Sequence, residues 1–233
     1  MGRGSSKAGG GGGKTVTSVV AQSGATIDLT SIPLTYGKKD PTMSKAQRKT
    51  IEAFEAKRVD RAVEYVMIVD AQGNSTIPYS AGDIKGRSGS CNVNPAFFNG
   101  GEVLSHNHPR AGKNEKELLG GTFSEADLST FAKHGSMKTI RATAAEGTYS
   151  MSKGAGFDAK GFAAFAKQTD ATHYKAYKNT ANQLASDFNS GKITYSAYTK
   201  GNNKAFNKML VDLHNAYLNG QKTYDYTYTL EKR

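Results

Sequence analysis

Glu102-Val103-Leu104-Ser105 reads as a short buried strand, and it runs directly into His106-Asn107-His108-Pro109, so two histidines one residue apart sit at a strand end. Upstream, Glu64-Tyr65-Val66-Met67-Ile68-Val69-Asp70 is another continuous apolar run, closed by the turn signal Gln72-Gly73-Asn74. That is the pattern of a strand buried on both faces and a candidate for the centre of a sheet. Before it, Ser44 is the expected N-cap of a charged helix running to about Ala62. Beyond the histidines, Ser124 opens a short helix that Gly135 is expected to close. Strands around Thr139–Ala144 and Thr148–Lys153 follow, joined near Glu146-Gly147 as a hairpin. These elements predict a mixed α/β (α+β) core, a mixed sheet flanked by helices.

The segment after this core is helical in period. Tyr174, Tyr177, Leu184 and Phe188 mark one apolar face, and Phe206, Met209, Leu210, Leu213 and Tyr217 another; both stripes read as core. Tyr224 to Leu230 then alternates with period two, as an added edge strand would. At the other end, residues 1–14 contain Gly9 to Gly13 and bury too little apolar surface to offset chain entropy, so they read as a flexible tail. Residues 15–42 read as extended and irregular, with Pro33 and Pro41 breaking any helix. The expected organisation is a tail (1–14), an irregular segment (15–42), a core domain (43–153) and a helical C-terminal extension (154–233).

A chain of 233 residues buries a real core without covalent staples. Cys91 is the only cysteine, which excludes a disulfide or a cysteine-based zinc site within one chain and fits a reducing, cytoplasmic compartment. No run of about 18 apolar residues and no secretory N-terminus is present, so no membrane span is expected. The net charge is +11. From residue 154 onward, 11 Lys and Arg face 6 Asp and Glu, 11 − 6 = +5, a diffuse bias. It suits weak nucleic-acid binding through a basic surface as well as it suits a plain solvated face.

Residues two apart on extended backbone point to the same side, so His106 and His108 can offer two imidazoles to one ion. A catalytic zinc takes three protein ligands, keeps a water in the fourth position and lowers its pKa to about 7. Asp127, on the helix opened by Ser124, is the best candidate for the third ligand. Ser124-x-x-Asp127 is also close to an ordinary capping box, in which no metal takes part.

The order Glu64, then His106-Asn107-His108-Pro109, then Ser124-Glu125-Ala126-Asp127 resembles the signature of the JAB/MPN (JAMM) zinc metallopeptidases. Ser105-His106-Asn107-His108-Pro109 looks especially like the RadC-like branch. The resemblance covers roughly residues 64–153. It implies a JAB/MPN-like fold and hydrolysis of an amide bond in a peptide or ubiquitin-like substrate. His106, His108 and Asp127 would bind Zn2+, Glu64 would serve as general base, and Ser124 would help to hold the oxyanion. Glu52, Glu55 and Glu102 are rivals to Glu64. Glu102 lies only four residues before His106 on the same strand, and Glu52 and Glu55 fall on a helix read as solvated.

The chain departs from that signature in one place. His108 and Ser124 are 124 − 108 = 16 residues apart, about twice the spacing that the resemblance implies, so Arg110 to Phe123 reads as an enlarged loop beside the metal. The other histidines are read as structural: His134 as a cation in the last turn of its helix, His173 and His214 as neighbours of apolar stripes. Cys91 reads as an incidental thiol. The alternatives from other classes are a basic, nucleic-acid-associated RadC-like module, and an accessory interaction protein of a phage or mobile element.

Overall fold

In the computed structural model, which describes residues 33–59, 61, 63–79, 95–108, 121–144 and 146–232, helix α1 (Lys45–Arg58) begins at Ser44 as expected. Ser44 Oγ accepts the Gln47 N–H and the Gln47 side chain accepts the Ser44 N–H, so two first-turn donors are satisfied reciprocally. The helix stops at Arg58; Ala62 lies outside the described residues. So do the glycine-rich tail, Cys91 and residues 110–120 of the enlarged loop.

Among the described residues, five strands form one sheet in the order β1 (Val66–Val69), β2 (Glu102–Asn107), β3 (Met137–Thr143), β4 (Thr148–Lys153), β5 (Tyr226–Glu231). The parallel pair is β2–β3, and helix α2 (Glu125–Lys133) lies in its crossover; the other neighbours are antiparallel. The chain is thus mixed α+β, as its pattern predicts.

One expectation is corrected: β1 is at the edge of this sheet, not its centre. It is buried along its whole length all the same, because residues 75–79 cover its outer side. Val66 and Tyr79 exchange N–H···O bonds of 3.0 and 3.2 Å, and the Thr76 N–H donates to Ile68 O at 2.9 Å. Pro78, which has no N–H to give, interrupts regular pairing in that cover. At the far edge, β5 presents Tyr226, Tyr228 and Leu230 inward as the period-two reading requires. The Gly37 N–H caps this edge by donating to Leu230 O at 2.9 Å.

Alternation along the strands separates two faces. Val66, Ile68, Leu104, Ile140 and Tyr149 face α2 and the two long helices α3 (Ala159–Asn189) and α4 (Tyr195–Tyr224) in the larger apolar cluster. Phe162, Tyr177, Phe206, Leu213 and Tyr217 of those helices belong to the same cluster. The helices run antiparallel along an aromatic seam, with ring centroids 5.6 Å apart for Tyr177–Phe206 and 6.1 Å for Phe165–Tyr217. Burying each such side chain stabilises the fold by about 1.5–3 kcal/mol. Among the described residues, no helix is long and apolar enough to cross a membrane.

On the opposite face, α1 packs Ile51 and Phe54 on Met67, Val69 and Val103. Farther across that face the layer is polar and still buried. Arg141 of β3, 1% exposed, lies between Glu55 of α1 and Glu231 of β5. The reading of Glu55 as a solvated residue is corrected, since it is 5% exposed and ion-paired. Next to it, Asp40 Oδ2 accepts hydroxyls from Ser150 (2.8 Å) and Ser152 (2.5 Å). Burial works to raise the Asp40 carboxyl, but the bonds from Ser152, Thr42 and Ser150 outweigh it and hold the group below its ordinary value.

The end of α2 also differs from expectation. The C-cap is His134 in an extended conformation, and Gly135 does not take the left-handed geometry of a terminating glycine. His134 is not a cation favoured by the helix dipole: burial, then Lys133 and Lys153, lower its pKa, and its ring stacks on Phe98 at 4.7 Å. Lys153 takes the cationic place, with Nζ donating to the His134 carbonyl at 2.6 Å, and burial beside Lys138 pulls its own pKa down to about 8.

Candidate metal centre

β2 carries His106 on the sheet face that meets the helices, and the parallel pairing with β3 continues one step past the strand, where the His108 N–H donates to Thr143 O at 2.8 Å. Both rings therefore project to one side. Across from them, the first turn of α2 brings in Asp127. The two Nε2 atoms are 3.2 Å apart, Asp127 Oδ1 is 3.5 Å from His106 Nε2, and Asp127 Oδ2 is 3.9 Å from His108 Nε2. One ligand atom from each residue lies within 4.8 Å of the others. A tetrahedral ion with bonds of about 2.0–2.1 Å separates its ligand atoms by roughly 3.3 Å, so this spacing can hold a single metal ion and leave a fourth position free.

The cap and the site turn out to be compatible. The Ser124 N–H and hydroxyl both donate to Asp127 Oδ2, at 2.7 and 2.8 Å, while the Asp127 N–H donates back to Ser124 Oγ at 3.3 Å. One carboxylate oxygen closes the box and the other faces His106, so the cap itself orients the ligand. Ser124 thus stands beside the centre with its hydroxyl hydrogen directed at Asp127. To donate to an oxyanion, that hydrogen has to swing away.

The electrostatics of the centre follow from its burial and its carboxylates. Burial alone would lower the His106 pKa, but the Asp127 carboxylate and, more weakly, Glu64 raise it to about 9. Asp127 is held well below the ordinary carboxylate range: burial opposes ionisation, and the two imidazoles overcome it. Ligation through His106 needs an unprotonated Nε2, so metal uptake there would compete with protonation.

No family model, curated protein or solved structure matches this chain. Val66 pairs with His106 across β1–β2, so continuing that register two residues places Glu64 opposite His108 and on the same face. Its carboxylate is close enough to act on the charge of His106. The three rivals are engaged elsewhere. Glu52 accepts Lys39 Nζ (2.6 Å) at the surface, Glu55 holds Arg141 on the far face, and Glu102 accepts the N–H groups of Asn99 and Gly100.

Two supports of the centre are not visible in the sequence pattern. His108 Nδ1 lies 2.7 Å from Gly121 O, so an Nδ1–H donated there leaves the Nε2 lone pair for a metal. Gly121 is held in turn, since its N–H donates to Glu146 Oε1 at 2.5 Å, and the Tyr149 hydroxyl donates to the same oxygen at 2.8 Å. The backbone of Gly121 has φ 129, where an L side chain is strained. By sequence Glu146 is a turn residue of the hairpin; a carboxylate one step from Gly147, buried in the structure, is the signal that points to its role. Glu146→Ala is expected to weaken divalent-metal binding at this grouping about 10-fold while the chain stays folded, read by competition with a chromophoric chelator. Unchanged affinity would separate Glu146 from the centre.

The remaining histidines stay apart from the centre. His173 pairs with Asp212 at 3.5 Å, and His214 is buried with Nδ1 3.0 Å from the Tyr228 hydroxyl. Among the described residues, His106, His108 and Asp127 form the one grouping of three or more candidate ligands close enough to share an ion.

Proposed function

We propose that this chain is a zinc-dependent hydrolase of the JAB/MPN (JAMM) type, with a RadC-like motif, acting in the cytoplasm on an amide bond of a peptide or an isopeptide-linked, ubiquitin-like substrate. The observation that carries the proposal is the convergence of two imidazoles and a carboxylate within 4.8 Å of one another, on the sheet face to which the register also brings Glu64.

The donor set suits zinc, which accepts imidazole nitrogen and carboxylate oxygen and keeps an open position when only three protein ligands are present. Zinc bound there would supply Lewis acidity and an activated water. The chain's own residues supply the rest. His106, His108 and Asp127 hold the ion, and the Gly121 carbonyl fixes the ring of His108. The Glu64 carboxylate accepts a proton and returns it to the leaving amine. Ser124 orients Asp127 through the cap and can turn its hydroxyl toward developing charge.

The test is metal content. Protein purified without added metal is expected to hold about one zinc per chain. His108→Ala and Asp127→Asn should lose most of it; asparagine retains an acceptor for the Ser124 cap, so loss of metal is not confounded with loss of the helix start, worth about 1 kcal/mol. Zinc content equal to wild type in both variants removes the site.

A further inference from the structure

Asn107 stands between the two histidines, is fully buried, and by strand alternation points away from them. Its side-chain amide reaches across to the neighbouring chain segment. Oδ1 accepts the Tyr65 N–H at 2.8 Å, and Nδ2 donates to the Val63 carbonyl at 3.1 Å. The Asn107 main-chain N–H adds a longer bond to Tyr65 O, at 3.3 Å. The Val63 carbonyl belongs to the peptide unit before Glu64, and the Tyr65 N–H to the peptide unit after it. One side-chain amide therefore grips both peptide planes that flank the Glu64 Cα.

Those two planes define φ and ψ of Glu64, and with them the direction of its Cα–Cβ bond. The regular β1–β2 ladder begins only at Val66, so the Glu64 backbone lies just outside the part of the sheet that the ladder holds. An amide is suited to this task because it offers an acceptor and a donor side by side, matching the C=O and N–H it meets. Neither a hydroxyl nor a carboxylate offers the same pair in that geometry.

We infer that Asn107 is a positioning residue for Glu64: its amide clamps the two peptide groups around the general base, so that a single His-Asn-His segment supplies two metal ligands from one side of β2 and sets the base from the other. The inference rests on the proposed hydrolase reading for its catalytic meaning, while the clamp is a property of the chain with or without a metal.

The experiment compares wild type, Asn107→Ala, Asn107→Asp, Glu64→Gln and the Asn107→Ala/Glu64→Gln double variant. Three quantities are read on each: zinc content, 15N backbone order parameters at Glu64 and Tyr65 in metal-free protein, and steady-state cleavage of a synthetic peptide and isopeptide library. In Asn107→Ala the two amides are expected to fall from about 0.85, the rigid range, to below about 0.6. Zinc content should stay at the wild-type level, and kcat should drop roughly 10- to 100-fold with KM little changed. In the double variant the loss should match Glu64→Gln alone, because an unpositioned base and an absent base cost the same step. Asn107→Asp keeps the acceptor for the Tyr65 N–H but sets an oxygen against the Val63 carbonyl, so it should hold the Tyr65 amide more rigidly than Asn107→Ala does, with kcat between that variant and wild type.

Rigid Glu64 and Tyr65 amides in Asn107→Ala, or a loss that adds fully to that of Glu64→Gln, would overturn the clamp. If Asn107→Ala does not fold, Asn107→Asp decides in its place, and a Tyr65 amide as mobile there as in an unclamped loop refutes the assigned bond. A wild-type chain without zinc instead defeats the hydrolase reading, and the order parameters then decide the clamp by themselves.

Discussion

Arg141→Ala is expected to destabilise the chain by about 3–5 kcal/mol, a large part of the roughly 5–15 kcal/mol that holds a typical domain together. The guanidinium meets two carboxylates in paired hydrogen bonds. Nε and Nη2 donate to Glu55 at 2.7 and 3.1 Å, and Nη1 and Nη2 donate to Glu231 at 3.0 Å each. Burial opposes its charge, yet these carboxylates push its pKa further up, so it stays ionised. Removing it leaves two buried carboxylates with only the Arg48 guanidinium, 3.9 Å from Glu231, as a remaining counter-charge, and that uncompensated charge, more than the missing contacts, sets the size of the loss. The control is Arg141→Met combined with Glu55→Leu and Glu231→Leu, which replaces these three buried ionic side chains by apolar ones, leaves Arg48 to its pair with Glu52, and should recover much of the stability. Denaturant midpoints at constant slope report both results. A loss below about 1 kcal/mol in Arg141→Ala would show that the network is not the tie between α1, β3 and β5 that its geometry describes.

That network bears on the metal centre through register. Arg141 pairs with Ser105 across β3–β2, and the Ser105 hydroxyl donates to Glu55 at 2.9 Å, one residue before His106. The end of β2 is therefore held on one face by an ionic layer while its other face carries the candidate ligand His106. The helix period of residues 174–188 and 206–217 was legible because it repeats over many turns, and the ends of β1 at Val69 and of β2 next to His106 because apolar runs stop there. The Arg141 layer was not, since its three members are 86 and 90 residues apart in pairs, and periodicity carries no information at that range. A lone arginine between Ile140 and Ala142 in a buried strand was the one local sign of it. The edge position of β1 escaped for a related reason: its apolar run reports burial on both faces, and it is residues 75–79, not another regular strand, that complete the cover. Among the site residues, His106, His108 and Asp127 could be proposed from spacing, whereas the Gly121–Glu146 support depends on how a loop returns to the sheet.

On the proposed hydrolase reading, Glu64→Gln is expected to retain zinc and to lower turnover by about 100-fold or more. Glutamine keeps the length and polarity of the side chain and leaves the backbone bonds from Asn107 in place, so the change removes the carboxylate's charge beside His106 and its capacity for proton transfer without disturbing the backbone. The register that sets Glu64 opposite His108 puts it on the ligand face without making it one of the three residues whose donor atoms cluster. Among the described residues, the rival glutamates Glu52, Glu55 and Glu102 are each tied to other partners. A base that acts only as the bond breaks should depress kcat and kcat/KM together, with KM nearly constant. Zinc content, kcat and KM on a library substrate that wild type cleaves decide among the roles. Loss of zinc would make Glu64 a ligand, full activity would assign the proton transfer to another group, and a rise in KM alone would make it a substrate contact.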